Sequence, residues 1–146
     1  MPERIFFDTS VLVAAMIASH PAHGPGATWL LRARAGKFEG GVSTHTLAEL
    51  YSVLTRYPVR PRISPELAQR LIQRNLEGLQ KVALSTEDYW QVLDCVSERK
   101  LSGGVIYDAL IARAALVFKA EKLLTLNPKD FIRLGPPVAE IVVVPA

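Results

Sequence analysis

Three carboxylates stand where a protein can do chemistry: Asp8, Glu49 and Asp108. Asp8 closes the short apolar run Ile5-Phe6-Phe7, Glu49 lies early in a helical stretch, and Asp108 opens a segment that is otherwise apolar. A carboxylate beside buried segments is costly unless something offsets its charge. Clustered carboxylates repel one another and call for a cation. All-oxygen ligands favour Mg²⁺ or Mn²⁺ over zinc. Held by a few carboxylates and several waters, such an ion can activate water and neutralise charge on a phosphodiester.

Each carboxylate also has a structural explanation. Asp8 could join Thr9 and Ser10 in capping the helix that follows. Thr46-Leu47-Ala48-Glu49 matches a capping box, in which Glu49 reaches back to the helix start. Asp108 could merely complement the dipole of its own helix. The sequence leaves both readings open at each position.

The elements that must position these residues can be read from periodicity and breakers. Ile5-Phe6-Phe7 suits a strand covered on both faces, and Val11 to Ala18 supplies a helix body. A carboxylate where a buried strand hands over to a helix lies at the end of the sheet where α/β proteins bind ligands. His20 to Gly26 reads as a loop by its Pro and Gly, with His20 and His23 as surface histidines rather than a metal pair. Helices follow over Ala27 to Gly36 and Thr44 to Tyr57, the second with Leu47, Leu50, Tyr51 and Leu54 on one face. Gly41 to Ser43 is a brief strand between them. Pro58 ends the second helix, Arg60-Pro61-Arg62 is a loop, and Ser64-Pro65-Glu66 opens a helix to about Leu79. Lys81 to Ser85 is a strand and Thr86 to Lys100 a helix. After Ser102-Gly103-Gly104, Ile106 to Ala120 should be a largely buried helix. Lys122 to Leu126 and Glu140 to Val144 complete the strands. Strands alternating with helices imply a parallel sheet between helical layers.

Composition limits the classes. The 146 residues suit one domain, taken here as 1–146, and 49% hydrophobic content is ample for its core. The single cysteine, Cys95, allows no internal disulfide and reads as packing, which fits a reducing, cytoplasmic setting. No apolar run approaches the roughly 18 residues of a membrane span. Glu3 and Asp8 precede the apolar segment Val11 to Ala18, and that acidic start argues against an export signal. The formal charge of +3 leans mildly toward anionic partners.

Taken together, Phe6-Phe7-Asp8-Thr9-Ser10-Val11-Leu12, Leu47-Ala48-Glu49-Leu50, Gly103 to Ala112 with Asp108, and Leu123-Leu124-Thr125-Leu126-Asn127 resemble a PIN-domain ribonuclease. The nearest group is that of the VapC toxins of prokaryotic toxin–antitoxin pairs. The resemblance implies a three-layer α/β/α sandwich with a central parallel sheet, and Mg²⁺- or Mn²⁺-dependent endonuclease activity on RNA. It assigns Asp8, Glu49 and Asp108 to the family's acidic positions, with Thr9 or Ser10 as the supporting hydroxyl. The fourth acidic position falls on Asn127, an amide, which puts a second metal in doubt; Asp130 either substitutes or only caps a turn. Asp8 and Asp108 would hold the main ion, Glu49 would bind it or orient water, and Asn127 would add a neutral oxygen. Arg56, Arg60 and Arg62 could guide the RNA backbone, or simply form a solvated basic loop. The implied partners are RNA and a small antitoxin that covers the acidic groove, with a homodimer left open.

Two rivals remain. A phospho-acceptor receiver-like domain would need an adjacent acidic pair early in the chain, where only Asp8 stands. A degenerate PIN fold that binds RNA or a protein without cleaving is kept alive by Asn127.

Overall fold

The computed structural model describes residues 2–146. Along the chain run β1 (Arg4–Phe7), α1 (Thr9–Met16), α2 (His23–Arg34), β2 (Glu39–Ser43), α3 (Thr44–Arg56), α4 (Pro65–Asn75) and β3 (Gln80–Val82). Then come α5 (Thr86–Glu98), α6 (Val105–Val117), β4 (Lys122–Leu124), α7 (Pro128–Ile132), α8 (Pro136–Ala139) and β5 (Val142–Val143). The strands form one five-stranded sheet in the order β3-β2-β1-β4-β5, every pair parallel. Helices cover both faces, the α/β/α sandwich that the alternation of elements implies.

β1 shows why an unbroken apolar run builds the centre of such a sheet. Successive strand residues point to opposite faces. Ile5 and Phe7 enter the core made with Val11, Leu12, Leu50 and Leu54. Phe6, between them, enters the other core with Leu110, Ile111 and Phe118. All three are fully buried, and burying each such side chain is worth about 1.5–3 kcal/mol.

The chain winds outward from β1 through β2 to β3, then crosses back to place β4 and β5 on the opposite side of β1. The carboxyl ends of β1 and β4 therefore flank a topological switch point, where open α/β sheets bind ligands. Phe7 pairs with Leu124 in register, so Asp8 and Thr125 leave the sheet side by side. α6 can lie close on β2 because Gly41 has no side chain: a Cβ there would sit 2.8 Å from the Phe118 ring.

Several element boundaries differ from the sequence reading. α2 begins at His23 rather than Ala27, because Pro25 falls in its first turn, where proline is tolerated. α4 ends at Asn75, well short of Leu79. β3, β4 and β5 are only two or three residues long, shorter than their apolar runs. α7 and α8 were not anticipated. Each opens with proline at its start and fills what reads as loop. Tyr51, placed on the inner face of α3, is 42% exposed, while Leu50 and Leu54 are fully buried.

Candidate active site

Asp8 occupies the N-cap position of α1, yet its side chain makes no capping bond. Its Oδ2 instead accepts hydrogen bonds from Ser10 Oγ at 2.7 Å and Thr125 Oγ1 at 2.8 Å. Ser10 Oγ accepts in turn from Leu126 N at 3.0 Å, and Thr125 Oγ1 accepts from Asn127 N at 3.0 Å. The turn after β1 and the turn after β4 are thus tied to one another around a buried carboxylate. Thr9 Oγ1 donates to Thr46 Oγ1 at 3.0 Å, fixing α1 against α3. The capping explanation for Asp8, Thr9 and Ser10 does not hold: their side chains bind one another and neighbouring elements.

The capping-box explanation for Glu49 fails as well. The N-cap of α3 is Ser43, whose side chain accepts from His45 N. Glu49 lies one turn further along and faces the space beside Asp8. Asp108 sits in the first turn of α6, whose N-cap Gly104 offers no side chain. The starts of α3 and α6 are braced by His45 and Tyr107, whose rings stack 5.3 Å apart and 2° from parallel.

Asp8, Thr9, Ser10, Glu49, Asp108 and Asn127 line one groove of about 430 Å³, together with Val13, His20, Val53 and Leu126. Four separate stretches of sequence meet there. Burial pushes the Asp8 carboxyl above its ordinary range, and the nearby Glu49 charge adds to this against the hydrogen bonds from Ser10 and Thr125. Asp108 is raised to about 7, first by burial, then by the charges of Asp8, Asp130 and Glu49, with Arg133 opposing. Buried carboxylates that also face other negative charges are suited to a cation, which would offset both effects.

The donor set fits a hard divalent ion, being entirely oxygen. It does not form a ready-made cage. Among the described residues no three Asp, Glu, His or Cys side chains gather closely enough to grip a metal unaided. Ions such as Mg²⁺ usually keep several waters and take only one or two carboxylates, so a loose set of acids suits them.

The remaining sequence candidates lie elsewhere. Asp130 does not line the groove, but it stands close enough to raise Asp108, and Arg133 bridges the two at 3.6 and 4.0 Å. Asp130 falls in the first turn of α7, whose N-cap Asn127 makes no side-chain capping bond. Arg56, Arg60 and Arg62 are exposed at the far end of α3 and beyond it, outside the groove. Arg56 Nε donates to Ser52 O and Arg62 to Thr55 O.

Three contributors escaped the sequence reading. Thr125 was visible only as part of a motif, and its bond to Asp8 depends on strand pairing. Arg133 carried no signal. His20, read as a surface histidine, is half-buried and lines the groove. His23 is also half-buried, its Nδ1 2.9 Å from Ala14 O. The two rings anchor their loop rather than decorating it.

Comparison with known proteins agrees with this geometry. A family model described as PIN domain matches residues 5–135. The chain is 36% identical over 122 residues to Ribonuclease VapC27 of Mycobacterium tuberculosis (strain ATCC 25618 / H37Rv), spanning 83% of each protein. Its fold matches VapBC2 from Rickettsia felis, solved bound to a DNA fragment from their promoter, with a TM-score of 0.71 at 22% identity over 98% of this chain and 99% of that one. It also matches a toxin–antitoxin complex from Klebsiella pneumoniae, with a TM-score of 0.66 at 22% identity over 97% and 98%. At these identities the two structures speak to fold alone.

Proposed function

The chain belongs to the PIN-domain family, and we propose that it is a divalent-metal-dependent endoribonuclease, the toxin of a toxin–antitoxin pair. One observation carries the reading: Asp8, Glu49 and Asp108, far apart in sequence, face one groove at the sheet's switch point, where burial first and neighbouring negative charge second raise Asp8 and Asp108 above the ordinary carboxylate range. The VapC27 relative, named a ribonuclease, supplies the reaction class.

The metal is Mg²⁺ or Mn²⁺, in keeping with an all-oxygen donor set. When bound, it neutralises phosphate charge and makes water a better nucleophile. Asp8 and Asp108 hold it. Ser10 and Thr125 fix the rotamer of Asp8 through Oδ2. Glu49 binds the ion or orients the attacking water. Asn127 contributes a neutral oxygen, and Asp130 keeps Arg133 beside Asp108. Arg56, Arg60 and Arg62 guide the RNA backbone from outside the groove.

The partner is a small antitoxin protein that covers the groove. The chain works in the cytoplasm. None of the described helices is long and apolar enough to cross a membrane.

One alternative has a specific observation behind it. With an amide at the fourth position and no preassembled metal cage among the described residues, the fold could bind RNA or a protein without cutting. A cleavage assay separates the two. RNA should be cut in Mg²⁺ or Mn²⁺ and left intact in EDTA, and Asp8→Asn, Glu49→Gln and Asp108→Asn should each abolish most cleavage while folding normally. RNA that is bound but intact under every metal condition favours the alternative.

A further inference from the structure

We propose that His20 touches the RNA substrate, donating a hydrogen bond from Nε2 to a phosphate oxygen in the groove. The inference rests on the nuclease reading and adds to it a residue outside the acidic set.

The argument begins at the ring's other nitrogen. The backbone N–H of Ala22 lies 3.0 Å from His20 Nδ1. A backbone N–H can only donate, so Nδ1 must accept. A neutral imidazole that accepts at Nδ1 carries its proton on Nε2. His20 is therefore held as a donor at the nitrogen that remains. It offers no lone pair there, which removes it as a metal ligand and as a general base.

The groove needs such a donor. Among its lining residues, Val13, Val53 and Leu126 are apolar, and Asp8, Glu49 and Asp108 are acids. Thr9 spends its hydroxyl proton on Thr46 and Ser10 spends its own on Asp8. Apart from the acids themselves, only the His20 ring and the Asn127 amide among these side chains are left with a proton to give. An RNA phosphate entering a groove of carboxylates meets repulsion from the acids, and a fixed donor at its wall offsets part of this. The loop is built to hold the ring in place: His20 N bonds to Ile17 O, and His23 N to His20 O.

Two substitutions separate donation to RNA from support of the loop. His20→Asn keeps an acceptor near the Nδ1 position and loses the distal donor. His20→Gln places an amide near the Nε2 position and loses the acceptor for Ala22. Cleavage of a short RNA would be measured for both, along with binding of the same RNA in EDTA and the rise in melting temperature with Mn²⁺. Contact with the substrate predicts that His20→Asn loses roughly tenfold or more in kcat/KM and binds RNA more weakly, as expected for one charge-assisted hydrogen bond. His20→Gln should recover most of that loss, and the Mn²⁺ response should be intact in both. The reverse order, with Asn near wild type and Gln impaired, makes His20 a loop support and overturns the proposal. Loss of the Mn²⁺ response in His20→Asn makes it a metal ligand and overturns it equally. A wild type that neither binds nor cuts RNA defeats the nuclease reading itself, and this inference with it.

Discussion

Thr125 Oγ1 donates a 2.8 Å hydrogen bond to Asp8 Oδ2, joining the turn after β4 to the turn after β1. The two residues are 117 apart in sequence and adjacent in space because Phe7 pairs with Leu124. The same Thr125 oxygen accepts from Asn127 N, so a single hydroxyl fixes both an acid and the loop that presents the amide.

Thr125→Val tests that link. The valine has nearly the same shape, so packing is kept while Asp8 loses a donor and Asn127 N an acceptor. Stability should fall by about 1–3 kcal/mol, the cost of leaving buried polar groups unpaired. The Asp8 carboxyl should hold its proton more tightly, weakening metal affinity. Chemical denaturation and a Mn²⁺ titration measure the two effects. A variant as stable as the wild type with unchanged Mn²⁺ affinity would mean that the hydrogen bond is incidental.

The second prediction concerns pH. Folded Asp108 titrates near 7, above the ordinary carboxylate value of 3.8, and folded Asp8 is raised too. The native state thus holds protons that the unfolded chain releases. Stability from these groups is full below the ordinary carboxylate range and is lost as pH rises through about 7. Asp88 runs the other way. The Ser85 amide, and after it Arg113, hold its carboxyl low, so its contribution is lost only in more acid solution. Denaturant midpoints in EDTA should therefore fall between about pH 5 and about pH 8, and Asp108→Asn should flatten that fall. Parallel curves for wild type and variant would contradict the placing of Asp108.

Much of the candidate site was legible in the sequence because Asp8 and Asp108 border apolar segments, and that pattern survives without any structure. Asp8 and Asp108 stand out for this reason, Glu49 through the Leu47-Ala48-Glu49-Leu50 motif that resembles the family, and the sheet follows from runs such as Ile5-Phe6-Phe7. What stayed hidden depends on packing across the fold. His20 looks like part of an exposed Pro-containing loop until His23 binds Ala14 O and folds that loop onto α1. Arg133 follows Phe131, the buried anchor of α7, a helix too short to show a period. Of the strand read over Glu140 to Val144, only the extent was hidden, because Val142 and Val143 alone pair with β4. The Glu49 capping box was a false lead, since Ser43 starts the helix one turn earlier than Thr46 would.

Arg56, Arg60 and Arg62 carry the third prediction. If they guide RNA, replacing all three by Ala should weaken binding and lower the salt dependence by roughly 0.7 in log–log slope for each phosphate no longer neutralised. Binding of single-stranded RNA across a salt series reads this directly. An unchanged slope would assign the three arginines to solvated surface, where Arg56 and Arg62 merely bond to carbonyls of α3.

Whether Asp8, Glu49 and Asp108 act as one cation site is read most directly from thermal melts of wild type and Asp8→Asn, in EDTA and in excess Mn²⁺. An ion present at 100 times its dissociation constant stabilises the folded state by about 2.7 kcal/mol, which is on the order of 5–10 °C for a domain near this size. The wild type should gain that much. Asn at position 8 can keep an oxygen where Oδ2 accepts from Ser10 and Thr125 while shedding a buried charge. In EDTA, Asp8→Asn should therefore melt at or above the wild type, and Mn²⁺ should add little. A wild type whose melting temperature ignores Mn²⁺, or an Asp8→Asn variant that gains as much as the wild type, would contradict the shared site.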